Sequence, residues 1–403
     1  MIGYDPYSDE VMRNPWPFYA RLREEAPAFH LEKYDCWFLS RFEDIWQAAI
    51  RPDVFSAETG VSPGQILLRE PPPPPTFTTM DMPRQREYRA LINDTYKRGR
   101  VAKLEPRVRA LTRELLDPLA EKGAFDVYRD LASPLAARVI GELIGLDRED
   151  ADALREGIAL FFGREPGQVG TSSEGAAAME AMMERVARIV VARMEAPDEG
   201  GDDHLSTWVR ARPEGRPMTV EEICGNVYVM MVTGSEVVPL AVANTILYLA
   251  AHPDQRRRVR REPQLIPAAF AESLRYDQPT NLLGRRLVQD VEMHGKTLRA
   301  GQGVMFLWAS GNRDPREFER PDEFDIDRRP RRSLSYGHGI HKCVGEPLGK
   351  LEGHVLLEEI LRAAPDYEIC HAGVERTYGE FLHGHHRVPI EFDSGAAQDG
   401  SAG

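Results

Sequence analysis

Three groups of residues in this sequence have the types and spacing to do chemistry. The first is a single thiol among glycines, Ser335-Tyr336-Gly337-His338-Gly339-Ile340-His341-Lys342-Cys343-Val344-Gly345. An apolar, helix-spaced run follows it (Leu348, Leu351, Val355, Leu356). Glycines permit a tight backbone that approaches its neighbours closely. A cysteine at the start of a helix faces free N–H groups, which favour the thiolate. That arrangement suits one soft metal ligand. Zinc would need three or four ligands, and His338 and His341 are the only extras nearby. The alternative is a buried, inert cysteine. The second group is Glu236, the only formal charge in residues 226–251. A buried carboxylate is costly unless it has a partner or a task. The third is Glu272 and Arg275, which share one helix face at i,i+3 and can pair.

These residues need elements to position them. As a helix, 226–251 would be roughly 39 Å long at about 1.5 Å per residue, enough to cross a bilayer. Glu236 at mid-span, ordinary flanks and the lack of a second such segment favour a central helix of a soluble domain. Gly234 and Pro239 predict a distortion around 233–239, either a harmless kink or a groove beside a buried ligand with Glu236 in its wall. Helical spacing also marks 14–27, 41–51, 104–123, 134–146 and 174–194. Strand patterns are few, at 28–40, 285–300 (a hairpin turning at His294-Gly295-Lys296) and 387–392. The expected fold is mainly α with a minor β sheet. The expected organisation is an N-terminal extension at 1–13, one catalytic domain at 14–392 and a disordered tail at 393–403.

The 403 residues carry a net charge of −13, which argues against bulk attraction to nucleic acid or anionic membrane. Four dispersed cysteines without a CxxC pair indicate a reducing compartment. The polar start lacks the pattern of a signal peptide. A cytoplasmic protein without a membrane span is expected.

The segment Tyr336 to Gly345 resembles the haem-binding signature of the cytochrome P-450 superfamily, F-G-x-G-x-H-x-C-x-G, with Tyr336 in place of the first Phe. The resemblance extends from about Asn14 to Phe392. It is to the soluble bacterial type, and it implies the family's helix-rich fold. The haem would lie between the long central helix and the Cys loop with its following helix. It implies haem b as cofactor and Cys343 as the thiolate on haem iron, a ligand that favours O–O cleavage. Amides after Cys343 would then tune the iron through its sulfur. Tyr336 and Gly337 belong to the same cofactor-binding loop. Glu272-x-x-Arg275 is similar to the family's E-x-x-R pair, and Arg328 in FDIDR would complete a structural triad. The haem propionates would be met by Arg89, Arg285 and His341. Residues 81–89 match D-x-P-x-H-x-x-x-R except that Gln85 replaces the His, leaving that contact neutral or lost.

Thr233-Gly234-Ser235-Glu236-Val237 aligns with the family's oxygen-activating A-G-x-D/E-T, with Val237 where the threonine belongs. Valine can neither donate nor accept a hydrogen bond. Three explanations stand: Thr233 supplies the hydroxyl from one turn away, substrate or an ordered water supplies it, or the chemistry is peroxide-driven or non-hydroxylating. The favoured expectation is monooxygenation of a mainly apolar small molecule with O2. The electrons would come from a ferredoxin-type donor with its reductase, docked on Lys97, Arg98, Arg100, Lys103, Arg331, Arg332, Lys342 and Lys350. A haem sensor or ligand carrier without turnover is the remaining alternative. Pocket candidates are Ile66, Leu67, Met231, Thr233, Val237, Asn281, Leu282, Leu283, Phe381, Leu382 and His383. His383, His385 and His386 look like a metal tract, but with at most one of them on the haem side they are expected as solvated loop histidines.

Overall fold

The longest element is the helix Val220–Ala251. It starts at Thr219, whose hydroxyl accepts from the Glu222 N–H (3.2 Å), while Glu222 Oε2 accepts from the Thr219 N–H (2.9 Å). This reciprocal cap satisfies two main-chain donors that a helix start would otherwise leave open. The helices Ser133–Ile144, Ser173–Glu195, Ile266–Tyr276 and Glu346–Ala363 pack around it. It is long and apolar enough to cross a membrane, but most of its apolar window is buried inside the protein. The computed structural model describes residues 2–71 and 74–393. Pro72, Pro73 and the tail from 394 onwards, including the stretch expected to be disordered, lie outside the described residues.

The distortion expected at 233–239 does not interrupt the helix. Gly234 has a packing role instead: a Cβ there would come within 2.7 Å of Ile140, so it lets two helices approach. Pro239 removes one main-chain bond, and burial of the helix on several sides holds its course.

A five-stranded sheet stands apart from the helical core. Its order is Ala28–Leu31, Cys36–Leu39, Gly303–Phe306, Leu283–Leu287, Phe55–Ser56. Cys36–Leu39 runs parallel to Gly303–Phe306, and the other pairings are antiparallel. The hairpin expected over 285–300 is shorter, Val291–Met293 with Lys296–Leu298. His294 and Gly295 both adopt positive φ at its turn, the conformation a two-residue hairpin needs. Arg285 therefore belongs to the larger sheet, opposite Val304. A three-stranded sheet joins Ala124–Asp126, Pro389–Glu391 and Glu368–Ile369.

The expected N-terminal extension, residues 1–13, packs against the rest of the chain. Tyr4, Tyr7, Val11 and Met12 are buried, and Tyr4 packs edge-on against Phe38. Apolar side chains at these positions fasten the segment to the sheet.

Candidate active site

Cys343 lies between a glycine-rich turn and the helix Glu346–Ala363. The turn is closed by main-chain bonds from the Cys343 N–H to the Tyr336 carbonyl (2.9 Å) and from the Gly337 N–H to the Leu334 carbonyl (2.9 Å). Gly337 and Gly339 have φ of +67° and +74°, where a side chain would be strained. A Cβ on Gly339 would also run into the Ala49 carbonyl. His338 stacks on Trp46 with ring centroids 3.4 Å apart, which fixes the outer side of the turn. The Cys343 thiol lies deep within the protein yet keeps accessible surface, so it faces an interior recess. Burial pushes this thiol up, and the amides of Gly345 and Glu346 together with Arg89 oppose that shift. The expected preference for thiolate at the helix start is thus present in its parts but outweighed by burial.

The segment Arg84–Asn93 clamps this loop from outside. Gln85 Nε2 donates to the Ile340 carbonyl at 2.9 Å. Arg89 donates to the carbonyls of Ile340 (3.2 Å) and Lys342 (2.6 Å). Arg285 is 6% exposed, and among the described residues its side chain donates only to the Gly284 carbonyl (2.7 Å). Burial pulls its guanidinium down to about 10, with Asp81 opposing. His341 is pushed down to about 3, first by burial and then by Arg285 and Arg89, and its Nε2 has no partner. Among the described residues no carboxylate forms an ion pair with any of the three. Two guanidiniums and an imidazole thus converge without an anion from the protein, a costly arrangement unless an anionic ligand completes it.

On the central helix, Val229, Thr233 and Val237 recur every fourth residue and all keep accessible surface. The next residue, Val238, packs on Gly349, six residues after Cys343. The Thr233 hydroxyl donates to the Val229 carbonyl at 2.7 Å. Glu236 sits on the flank of this row and is 4% exposed. Its Oε2 accepts from the Tyr128 phenol at 2.7 Å, and its Oε1 has no partner. Burial raises the carboxyl to about 7, against the phenol and Arg155.

Several of the pocket candidates are buried. Ile66, Leu67 and Leu282 are buried in the cluster beside the five-stranded sheet, and Met231 and Leu382 in the helical core. Ile66 fills the space over Gly284 and Gly303. Asn281 is a brace, accepting from the Tyr19 phenol (2.7 Å) and donating to the Glu380 carbonyl (2.7 Å). Leu283 and Phe381 keep accessible surface, and Phe381 stacks on Phe162. His383 is buried rather than solvated, and burial holds it neutral with a pKa of about 3. His385 bonds Asn244 at 2.8 Å. The described residues contain no cluster of three side chains able to hold a metal ion.

Residues 172–364 match the family description "Cytochrome P450". The cyclomarin C epoxidase CymV of Salinispora arenicola is 32% identical over 343 residues, covering 84% of this chain and 85% of that protein. The chain belongs to the cytochrome P450 family. A solved structure of a mutant of P450 EryK in complex with erythromycin B superposes with a TM-score of 0.86 at 25% identity, covering 98% and 99% of the two chains. CYP109E1 from Bacillus megaterium in complex with testosterone gives 0.84 at 26% identity, covering 96% and 100%. The protein is therefore a cytochrome P450 monooxygenase, an oxidoreductase with a haem-thiolate cofactor.

The residues around Cys343 fit that cofactor. Cytochrome P450 haem brings an iron that takes a thiolate and two carboxylates that need cations. Cys343 would offer the one, and Arg89, Arg285 and His341 would offer the others. The E-x-x-R pair is brought together with Arg328. Glu272 accepts from Arg275 (2.8 Å) and from Arg328 Nε (3.1 Å), and both arginines also donate to carbonyls of the 312–323 segment. Sequence reasoning missed Tyr128 and Trp46. Each acts through a partner 108 or more residues away, and no local pattern flags such a pair.

Proposed function

We propose that this cytochrome P450 uses haem b to insert one oxygen atom of O2 into a mainly apolar organic molecule, in the cytoplasm, with electrons from a ferredoxin-type donor and its reductase. The convergence of Arg89, Arg285 and His341 beside the Cys343 recess carries the proposal. Bound there, haem would supply oxygen activation. Cys343 would hold the iron, with the Gly345 and Glu346 amides steadying its sulfur. Arg89, Arg285 and His341 would hold the propionates. Tyr336, Gly337 and Gln85 would shape the loop. The accessible row Val229, Thr233, Val237 would border substrate, with Leu283 and Phe381 as further wall. The structural neighbour in complex with testosterone supports a mainly apolar small substrate.

The donor face is supported by Arg98, Arg100 and Lys103, which are exposed in the segment packed on the helix after Cys343. Not all of the expected patch is free to act. Lys342 and Lys350 both pair with Glu346 at 2.6 Å, and Arg332 pairs with Glu43 at 2.8 Å and with Glu317 at 2.5 Å.

The deciding test is the absorption spectrum of the purified protein, reduced and exposed to carbon monoxide. The red-shifted thiolate band is expected in wild type and absent in Cys343→Ser. A band of the histidine-ligated kind in wild type refutes the assignment. A pyridine haemochromogen assay identifies haem b.

One observation favours a second reading, peroxide-driven or non-hydroxylating chemistry: Val237 stands beside Glu236 where an alcohol would be expected. Product with hydrogen peroxide alone, and none with a ferredoxin system, supports this second reading. Val237→Thr is expected to raise the share of electrons recovered in product rather than as peroxide. An unchanged share removes position 237 from the mechanism.

A further inference from the structure

Tyr128 lies in a π-helical turn, Val127–Ala132, an element that concentrates at functional sites. The turn is held at both ends of its first residues. Asp126 Oδ1 accepts from the N–H groups of Tyr128 (3.0 Å) and Arg129 (2.7 Å), and the Val127 N–H donates to the Val388 carbonyl (3.0 Å). The preceding strand, Ala124–Asp126, pairs with Pro389–Glu391. The phenol is therefore delivered to Glu236 by a braced main chain rather than by a mobile loop. Its donation fixes Oε2 at 2.7 Å and leaves Oε1 buried and unpartnered. An orphaned buried carboxyl oxygen is expensive, and protonation there removes much of the penalty.

We infer that Tyr128 is the positioning residue for Glu236: its phenol anchors Oε2 on the flank of the central helix and leaves Oε1 as the atom that takes up and releases the proton used at the Thr233–Val237 row. The pairing itself is independent of the reaction, and only the use of the proton rests on the monooxygenase reading above. When Oε1 gives up its proton, the charge left on the carboxylate is shared with the phenol's hydrogen bond, and no tyrosinate forms. The groups facing the carboxyl are the Tyr128 phenol and the Arg155 guanidinium, and Ser133 faces the phenol. Burial against these donors places Glu236 at about 7, where proton uptake and release are both accessible near neutrality. A carboxyl held this way does not need the missing alcohol at 237 to keep its geometry.

The test is an infrared titration of the holoenzyme, reading the protonated-carboxyl band that Glu236→Gln removes. In wild type the band is expected to titrate near pH 7. In Tyr128→Phe the midpoint rises by about one unit, because a donor to the charged form is gone. Arg155→Gln moves it less. An unchanged midpoint in Tyr128→Phe, or a larger shift in Arg155→Gln, overturns the inference. Should Tyr128→Phe not fold, wild-type protein with ring-deuterated tyrosine serves instead. One phenol band must shift with the same midpoint, and its absence overturns the inference. The pH profile of product per electron is expected to move with the carboxyl in Tyr128→Phe. If the carboxyl moves but the protein lacks the carbon monoxide band, the pairing is supported and the monooxygenase reading is what fails.

Discussion

Arg285 is a guanidinium with almost no water and a single carbonyl to donate to. A charge in that state is a strained tenant of the fold, and a carboxylate from outside relieves the strain. Arg285→Leu is therefore expected to have two opposite effects. Haem release to excess apomyoglobin should speed up by roughly 10- to 100-fold, the worth of one charge-assisted hydrogen bond. The haem-free protein should keep or gain urea resistance, because an unpaired buried charge has been removed. Loss of both haem affinity and apoprotein stability would mean that Arg285 is held for packing. Glu236 has a related signature in pH. Its folded value of about 7 exceeds an unfolded glutamate's value of about 4.3, so its penalty to stability grows as pH rises between the two. Glu236→Gln should accordingly stabilise the protein more at about pH 8 than at about pH 5, read from urea midpoints.

At the scale of elements, the E-x-x-R helix is locked to the 319–328 segment through Glu272. Removing one partner from a buried ion network costs about 3–5 kcal/mol, because the other charges stay behind. Glu272→Gln should lower the urea midpoint by that equivalent while Arg332→Gln, on a half-exposed pair, changes it little. The Glu272–Arg275 pair was legible from its i,i+3 spacing, whereas Arg328, 53 residues beyond Arg275, was implied only by the family resemblance. The turn at His294-Gly295 was legible from its local pattern. Gly234 and Pro239 were misread as signs of a distortion because composition does not say what lies opposite a helix face, and Ile140 does. Ile66, Leu67, Leu282, Met231 and Leu382 are buried in the core clusters, a distinction the sequence does not make because an apolar side chain looks the same in a core as beside a cavity. Tyr128 was invisible because its partner lies 108 residues away.

Across the whole molecule, a net charge of −13 coexists with exposed Arg98, Arg100 and Lys103 near the Cys343 side. Reversing Arg98 and Arg100 to Glu should slow association with an acidic ferredoxin by about 10-fold or more at low salt, with the difference fading as salt rises. Equal rates at all ionic strengths would move the donor face elsewhere. Acid stability has its own anchors. Glu222 is held down to about 2 chiefly by Arg216, and Glu359 to about 2 by Arg113, Arg109 and Arg362 against its burial. Both folded values lie below the unfolded value of about 4.3, so their contribution is complete above that pH and is lost as pH falls toward 2. Urea midpoints should begin to drop below about pH 4.3, and double replacement by Gln should flatten that drop.

The parallel pairing of Cys36–Leu39 with Gly303–Phe306 joins segments 267 residues apart in the chain. During synthesis the first hairpin emerges early and then waits with one edge bare until residue 306 has left the ribosome. An unpaired strand edge invites intermolecular pairing. The strand that seats Arg285 is fixed through the same late arrival. The propionate cradle is thus among the last parts of the protein to exist, so a nascent chain interrupted before that point has no complete place to receive haem.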